Sequence, residues 1–212
     1  MLRTQTPNYH EIARANADDV LAVLRSLSES EWDAQSLCER WTVRHVVGHL
    51  IFGLTETAPK MRGAVRASRF DKDRLLSRKA RQIGDSCSPE ELVERYTVAS
   101  SCARSRRLVG ALPVDLAAAD TAIHLLDICV PLRRVSGLDP QRLAAVLDVV
   151  VGRNVCGARS RATGLRLVAT DIDWHRGAGT EVCLPAERLI VSLTGRSGLR
   201  SDMGRAAFGT CV

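Results

Sequence analysis

The feature that most constrains this chain is the apolar stripe Val43, Val46, Val47, Leu50, Ile51 and Leu54. Its i, i+3, i+4, i+7 spacing is that of a helix burying one whole face, and Thr42 before it can cap the first turn. A helix this apolar needs partners, and the flanking sequence supplies them. Val20, Val23, Leu24 and Leu27 repeat the period in a helix expected to begin after Pro7 and end before Ser28-Glu29-Ser30-Glu31. Ser88-Pro89-Glu90-Glu91 carries an N-cap, a first-turn proline and a capping-box glutamate for a third helix, expected to reach about Leu112. Pro113 interrupts; Asp115 can cap a fourth helix bearing Leu116, Ile123 and Ile128, which Pro131 ends, and Asp139-Pro140 opens a fifth. Between the second and third helices the basic stretch from Lys60 to Arg81 reads as a long, solvated connection, helical in part but without a clean apolar face.

Beyond Asn154 the pattern changes. Leu165–Trp174 is rich in strand formers, Arg176-Gly177-Ala178-Gly179-Thr180 reads as a turn and Thr180–Leu184 as a second strand, so a hairpin is expected. Pro185 opens a last helix with Leu189, Ile190 and Leu193 on one face, and the final fifteen or so residues look loosely ordered. The expected fold is mainly α: a four-helix bundle over 1–155 and a small C-terminal α+β appendage, hairpin plus helix, over 156–212.

Composition limits the function classes. No stretch approaches the roughly 18 apolar residues of a membrane span, and the N-terminus lacks the apolar core of a secretory signal, so a cytoplasmic protein is expected. Seven scattered cysteines without a CxxC pair read as reduced, inert thiols, with Cys129 the one nearest the candidate site. The net charge of +6, carried almost entirely by arginine on the basic side, favours anionic partners, most simply a small acidic metabolite. Aromatic residues are only 4% of the chain, too few for base-stacking platforms, which argues against nucleic acid even for the basic stretch.

Asp120, His124 and Asp127 stand at i, i+4, i+7 on the fourth helix and project from one face. Such a pair is half of a metal site, although an Asp-x3-His pair also serves as a solvated ion pair. The missing ligand must come from a facing helix. His49, near the edge of the second helix's apolar stripe, is the strongest donor, while His45 points almost opposite the stripe and is left out. His49, Asp120 and His124 would suit zinc with an open position, or Fe(II). Asp127 is expected to orient the His124 ring rather than to ligate.

These segments resemble a known family. Residues 28–50, SESEWDAQSLCERWTVRHVVGHL, resemble the first signature of the mycothiol-dependent maleylpyruvate isomerases, a branch of the DinB-like metal-binding bundles, in which the closing histidine, here His49, is a metal ligand. Residues 118–132, AADTAIHLLDICVPL, are similar to its second signature, with Asp120 where a Glu is usual, then His124, Asp127, Pro131 and Leu132. Residues 164–177 and 185–196 resemble its small C-terminal domain, down to Leu193-Thr194-Gly195-Arg196. His45 stands where the family commonly has Asp, and Leu125–Cys129 replaces a stretch with Gly and Arg. The resemblance implies a divalent metal, zinc first, and mycothiol as thiol cosubstrate. The ion would acidify the thiol for attack on an electrophilic metabolite, in an isomerase or a thiol S-transferase, with Arg196 holding an anionic carboxylate. A monomer or homodimer is expected. The alternative is a non-catalytic bundle whose ion has a structural or sensor role.

Overall fold

The computed structural model describes residues 7–56, 72–105 and 112–196, which divide into two compact units. The larger, Tyr9–Ser136, is helical. Its elements are α1 (Tyr9–Ser26), the single turn α2 (Glu29–Trp32), α3 (Val43–Thr55), α4 (Lys72–Asp85), α5 (Pro89–Ser105) and α6 (Val114–Cys129). α1 packs on α5 and α6, and α3 packs on the same two, which closes a four-helix bundle with α4 laid against the outside of α3.

The expected caps at Thr42 and Ser88 are present, and α2 adds one not expected from the sequence. Ser28 and Glu31 form a capping box on α2, Thr42 and His45 one on α3, and Ser88 and Glu91 exchange bonds at the start of α5. α6 starts at Val114 behind Pro113, two residues earlier than an Asp115 cap would give, so Asp115 lies in the first turn, where its charge favours the helix dipole. Every α6 residue from Ala117 to Cys129 is buried except Asp120. α1 is fixed to that helix by a buried side chain, Asn16 Nδ2 donating to the Ala118 carbonyl at 2.9 Å.

Part of the basic stretch departs from the expected solvated connection. Residues 57–71 lie outside the described residues, but from Lys72 the chain is helical, with Leu75 and Ala80 fully buried. Two glycines make this possible. A Cβ on Gly48 would sit 2.3 Å from the Ala80 carbonyl oxygen, and one on Gly84 would sit 2.9 Å from that of Arg44, so α3 and α4 meet backbone to backbone. That contact buries α4 with few large apolar residues.

The second unit takes residues 7–8 and 137–196 of those described. It contains α7 (Pro140–Gly152), a 3-10 turn (Val155–Gly157), α8 (Ala158–Ala162), β1 (Leu165–Ala169), β2 (His175–Gly177), β3 (Thr180–Leu184) and α9 (Ala186–Leu193). Asp139 caps α7 by accepting from the Arg142 amide, and Asp171 Oδ1 accepts from the Ala186 amide at the start of α9. α7 thus groups with the sheet and α9, and the division falls at 136/137 where the sequence suggested about 155. The expected hairpin is also rearranged. β1 pairs antiparallel with β2, but β3 pairs parallel with β1 on its other edge, in the order β2-β1-β3. To change edges the chain passes beneath the start of β1 through Gly177 and Gly179, at φ +89° and +122°, where a Cβ would strike the Leu165 and Gly164 carbonyl oxygens at 2.3 and 2.1 Å. Cys183 on β3 is disulfide-bonded, unlike the thiols expected throughout, while Cys38, Cys87, Cys102, Cys129 and Cys156 form no disulfide. No helix among the described residues is long and apolar enough to cross a membrane.

Candidate metal centre

α3 and α6 bring His49, Asp120 and His124 together: one potential ligand atom from each lies within 4.8 Å of the others. The two imidazoles meet edge to face with centroids 4.5 Å apart. Each Nε2 is 3.7 Å from an Asp120 carboxylate oxygen. That is beyond hydrogen-bonding range. It is close to the roughly 3.3 Å that separates neighbouring ligands of a tetrahedral zinc with bonds of about 2.0–2.1 Å. His49 Nδ1 is buried with no hydrogen-bond partner among the described residues, so protein hydrogen bonds do not compensate that ring's burial. Two imidazoles, a carboxylate and this donor spacing fit a divalent ion.

Asp127 faces the other side of His124. Its Oδ2 accepts from His124 Nδ1 at 2.7 Å, and the carboxylate is wholly buried. This bond puts the proton on Nδ1 and directs Nε2 toward Asp120 and His49. The two rings titrate in opposite directions. Burial, then repulsion from His124, pushes His49 below its usual value. For His124 burial also opposes charge, but the hydrogen bond to Asp127, the nearby Cys38 side chain and the charges of Asp120 and Asp127 outweigh it and raise the pKa to about 10. Without a metal, then, His49 is neutral and His124 an imidazolium at neutral pH.

Access is one-sided. The Asp120 side chain is 36% exposed, against 11% for His49 and 8% for His124. Trp41 covers both rings, its centroid 5.1 Å from His49 and 6.0 Å from His124, and its indole N–H donates to Ser77 on α4. His45 is engaged elsewhere: Nδ1 accepts from the Thr42 amide and Nε2 pairs with Asp85 at 2.7 Å. Arg196 belongs to the second unit, where its Nη1 donates to the Thr194 carbonyl and contacts Cys156 Sγ.

Two residues of the cluster were not visible in the sequence. Cys38 is half-buried, and its thiol donates to Asp127 Oδ2 at 3.1 Å across 89 residues of sequence, so it is tied into the site by a hydrogen bond. Cys129, adjacent to the site in sequence, is instead buried with Sγ 3.9 Å from the Val135 carbonyl. Trp41 is the second. Both lie in the loop before α3, and the one signal for them was membership of the same short signature as His49.

The family model for the mycothiol maleylpyruvate isomerase N-terminal domain matches residues 13–129. Among solved structures, the crystal structure of the mycothiol-dependent maleylpyruvate isomerase superposes with a TM-score of 0.61 at 16% identity, covering 91% of this chain and 92% of its own. A histidine-to-alanine mutant of that isomerase gives a TM-score of 0.61 at 14% identity, with 92% and 91% covered. No curated protein matches the chain.

Proposed function

Because this chain belongs to the mycothiol maleylpyruvate isomerase N-terminal domain family, we propose that it is a cytoplasmic, mycothiol-dependent enzyme, an isomerase or thiol S-transferase. In this reading His49, Asp120 and His124 hold a divalent ion, zinc first, and the substrate is a small electrophilic or anionic metabolite. The observation that carries the proposal is the convergence of these three donors from two helices where Asp120 opens the otherwise buried stretch from Ala117 to Cys129 to solvent.

An ion bound there would supply Lewis acidity, lowering the pKa of a thiol so that thiolate is present at neutral pH. The chain's own residues do the rest. Asp127 holds the Nδ1 proton of His124 and keeps Nε2 directed at the site. With its carboxylate spent on His124, Asp127 offers no fourth ligand on the Asp120 side, which leaves room for a thiol, as a catalytic site needs. Trp41 shields the imidazoles from bulk water on one side, and the exposed edge of Asp120 marks the approach. In an isomerase the thiolate adds to a cis double bond, the new single bond rotates, and elimination restores the double bond as trans and returns the thiol. An S-transferase stops at the adduct. Arg196 is proposed to pair with a substrate carboxylate, since guanidinium can do so bidentately.

The test is elemental analysis of purified wild type beside His49→Ala and His124→Ala, followed by mycothiol turnover assays. Near-stoichiometric divalent metal in wild type, lost from both variants, with mycothiol-dependent turnover is the expected result. Absence of metal after reconstitution would overturn the proposal, and a stoichiometric ion without turnover would make the bundle a structural or sensor protein.

A further inference from the structure

We infer that Cys38 is a positioning residue for His124, acting through Asp127; this rests on the metal-site reading above. The Asp127 carboxylate oxygen that accepts His124 Nδ1–H at 2.7 Å also accepts the Cys38 thiol at 3.1 Å. A fully buried carboxylate is costly unless its lone pairs are taken up, and these two donors share that task. The thiol is itself held in place. Its backbone amide donates to Ser36 Oγ at 3.1 Å, and its carbonyl accepts from Gln35 Nε2 at 2.8 Å. The neighbouring Leu37 amide donates to the Asp127 carbonyl at 3.1 Å. The loop before α3 therefore grips Asp127 by backbone and side chain at once, on the same loop that carries Trp41 over the two imidazoles.

The geometry separates this role from direct ligation. Cys38, His124 and Asp127 also bring donor atoms within 4.8 Å of one another, so a thiophilic ion could in principle be held there. Yet the His124 nitrogen on that side is Nδ1, already committed to Asp127. The nitrogen left for a metal is Nε2, on the Asp120 side. Cys38 thus orients the ligand from behind. A thiol suits the position because it donates weakly and packs as a small apolar group, so the half-buried loop does not have to hydrate it.

The experiment uses the full chain as wild type, Cys38→Ser and Cys38→Ala, with cobalt(II) as the probe. Cobalt affinity is measured by competition with a chelating dye, and the Nδ1–H resonance of His124 is followed by NMR in the metal-free proteins. Cys38→Ala is expected to weaken cobalt binding about tenfold, the low end for groups behind a metal ligand. It should also shift the Nδ1–H resonance, with Cys38→Ser restoring both. Unchanged affinity and resonance in Cys38→Ala would overturn the inference. So would a near-ultraviolet sulfur-to-cobalt charge-transfer band in wild type that vanishes in Cys38→Ser, since Cys38 would then be a ligand. If wild type binds no cobalt, the metal-site reading fails, and the NMR comparison alone decides whether Cys38 sets the His124 ring.

Discussion

The two units handle polar groups differently. The helical unit buries His49, His124 and Asp127 together with Asn16, whereas the buried polar side chains described in the C-terminal unit are Ser192 and Thr194, whose hydroxyls return to carbonyls of their own helix. Two ion pairs of the C-terminal unit, Arg166–Glu181 and Arg176–Asp148, lie at its surface with all four side chains more than 40% exposed, and in a third, Arg142–Asp139, the carboxylate is half exposed. Burying ionisable groups costs a fold free energy that apolar packing would not. A domain that keeps three of them inside, with two imidazoles shifted in opposite directions, has the signature of a site; the C-terminal unit, the proposed role of Arg196 apart, has that of a packed scaffold.

The contrast breaks most sharply at Asp127. Asp127→Asn keeps the shape and removes the charge, and it is expected to cost about 10–100-fold in metal affinity, measured by chelator competition. The pH dependence follows from His124. Its folded pKa, about 10, lies above the ordinary 6.5, so in metal-free protein its contribution to stability is complete below 6.5 and is lost as pH rises through 10. Melting temperatures of the metal-free wild type should fall over that window, and those of Asp127→Asn should fall less. Metal must displace the Nε2 proton, so apparent affinity should rise with pH, about tenfold per unit, until His124 is neutral. A flat affinity profile from pH 7 to 9 would mean that metal binding displaces no proton from His124 in that range.

The next effect compares backbone packing in the two units. Gly48→Ala drives a methyl into the Ala80 carbonyl, and Gly179→Ala drives one into that of Gly164, so each is expected to destabilise its own unit by about 1–3 kcal/mol. Gly53→Ala is the control, because a Cβ there meets nothing within 4 Å and alanine favours a helix. Thermal melts give the stabilities and elemental analysis the metal content. Gly48→Ala should disturb both, since α4 carries Ser77, the partner of Trp41, while Gly179→Ala should leave metal content intact, because every candidate donor lies in the helical unit. Metal loss in Gly179→Ala would erase the distinction between site and scaffold.

How much of this was legible depended on whether local chemistry decided the outcome. The α3 stripe, the Thr42 and Ser88 caps and the prolines around α6 fix those helices from within, and the Asp120, His124, Asp127 spacing needs only helical geometry. α6 was found from its ends: it is buried almost all round, so it has little amphipathic pattern to read. α4 is amphipathic, but its close seat on α3 depends on glycine contacts that the 72–85 segment alone does not reveal. β3 has the strand signal, but its parallel partner is set by the crossing at Gly177 and Gly179. Cys38 and Trp41 join the site through a loop whose course is set by Gln35 and Ser36, and loops carry no period.

The smallest expected effect tests the scaffold reading of the C-terminal unit. Arg166 and Glu181 pair across β1 and β3 at 3.1 Å with both side chains nearly half exposed. Such a pair gains little Coulomb energy in water and loses side-chain freedom, so Arg166→Ala should change stability by about 1 kcal/mol or less, with the difference shrinking further in high salt. The same substitution should leave metal content and its pH dependence unchanged. A loss well above that magnitude, read from urea melts, would show that the surface charges of this unit hold its sheet together. The contrast would then lie in where each unit places its charges rather than in whether it depends on them.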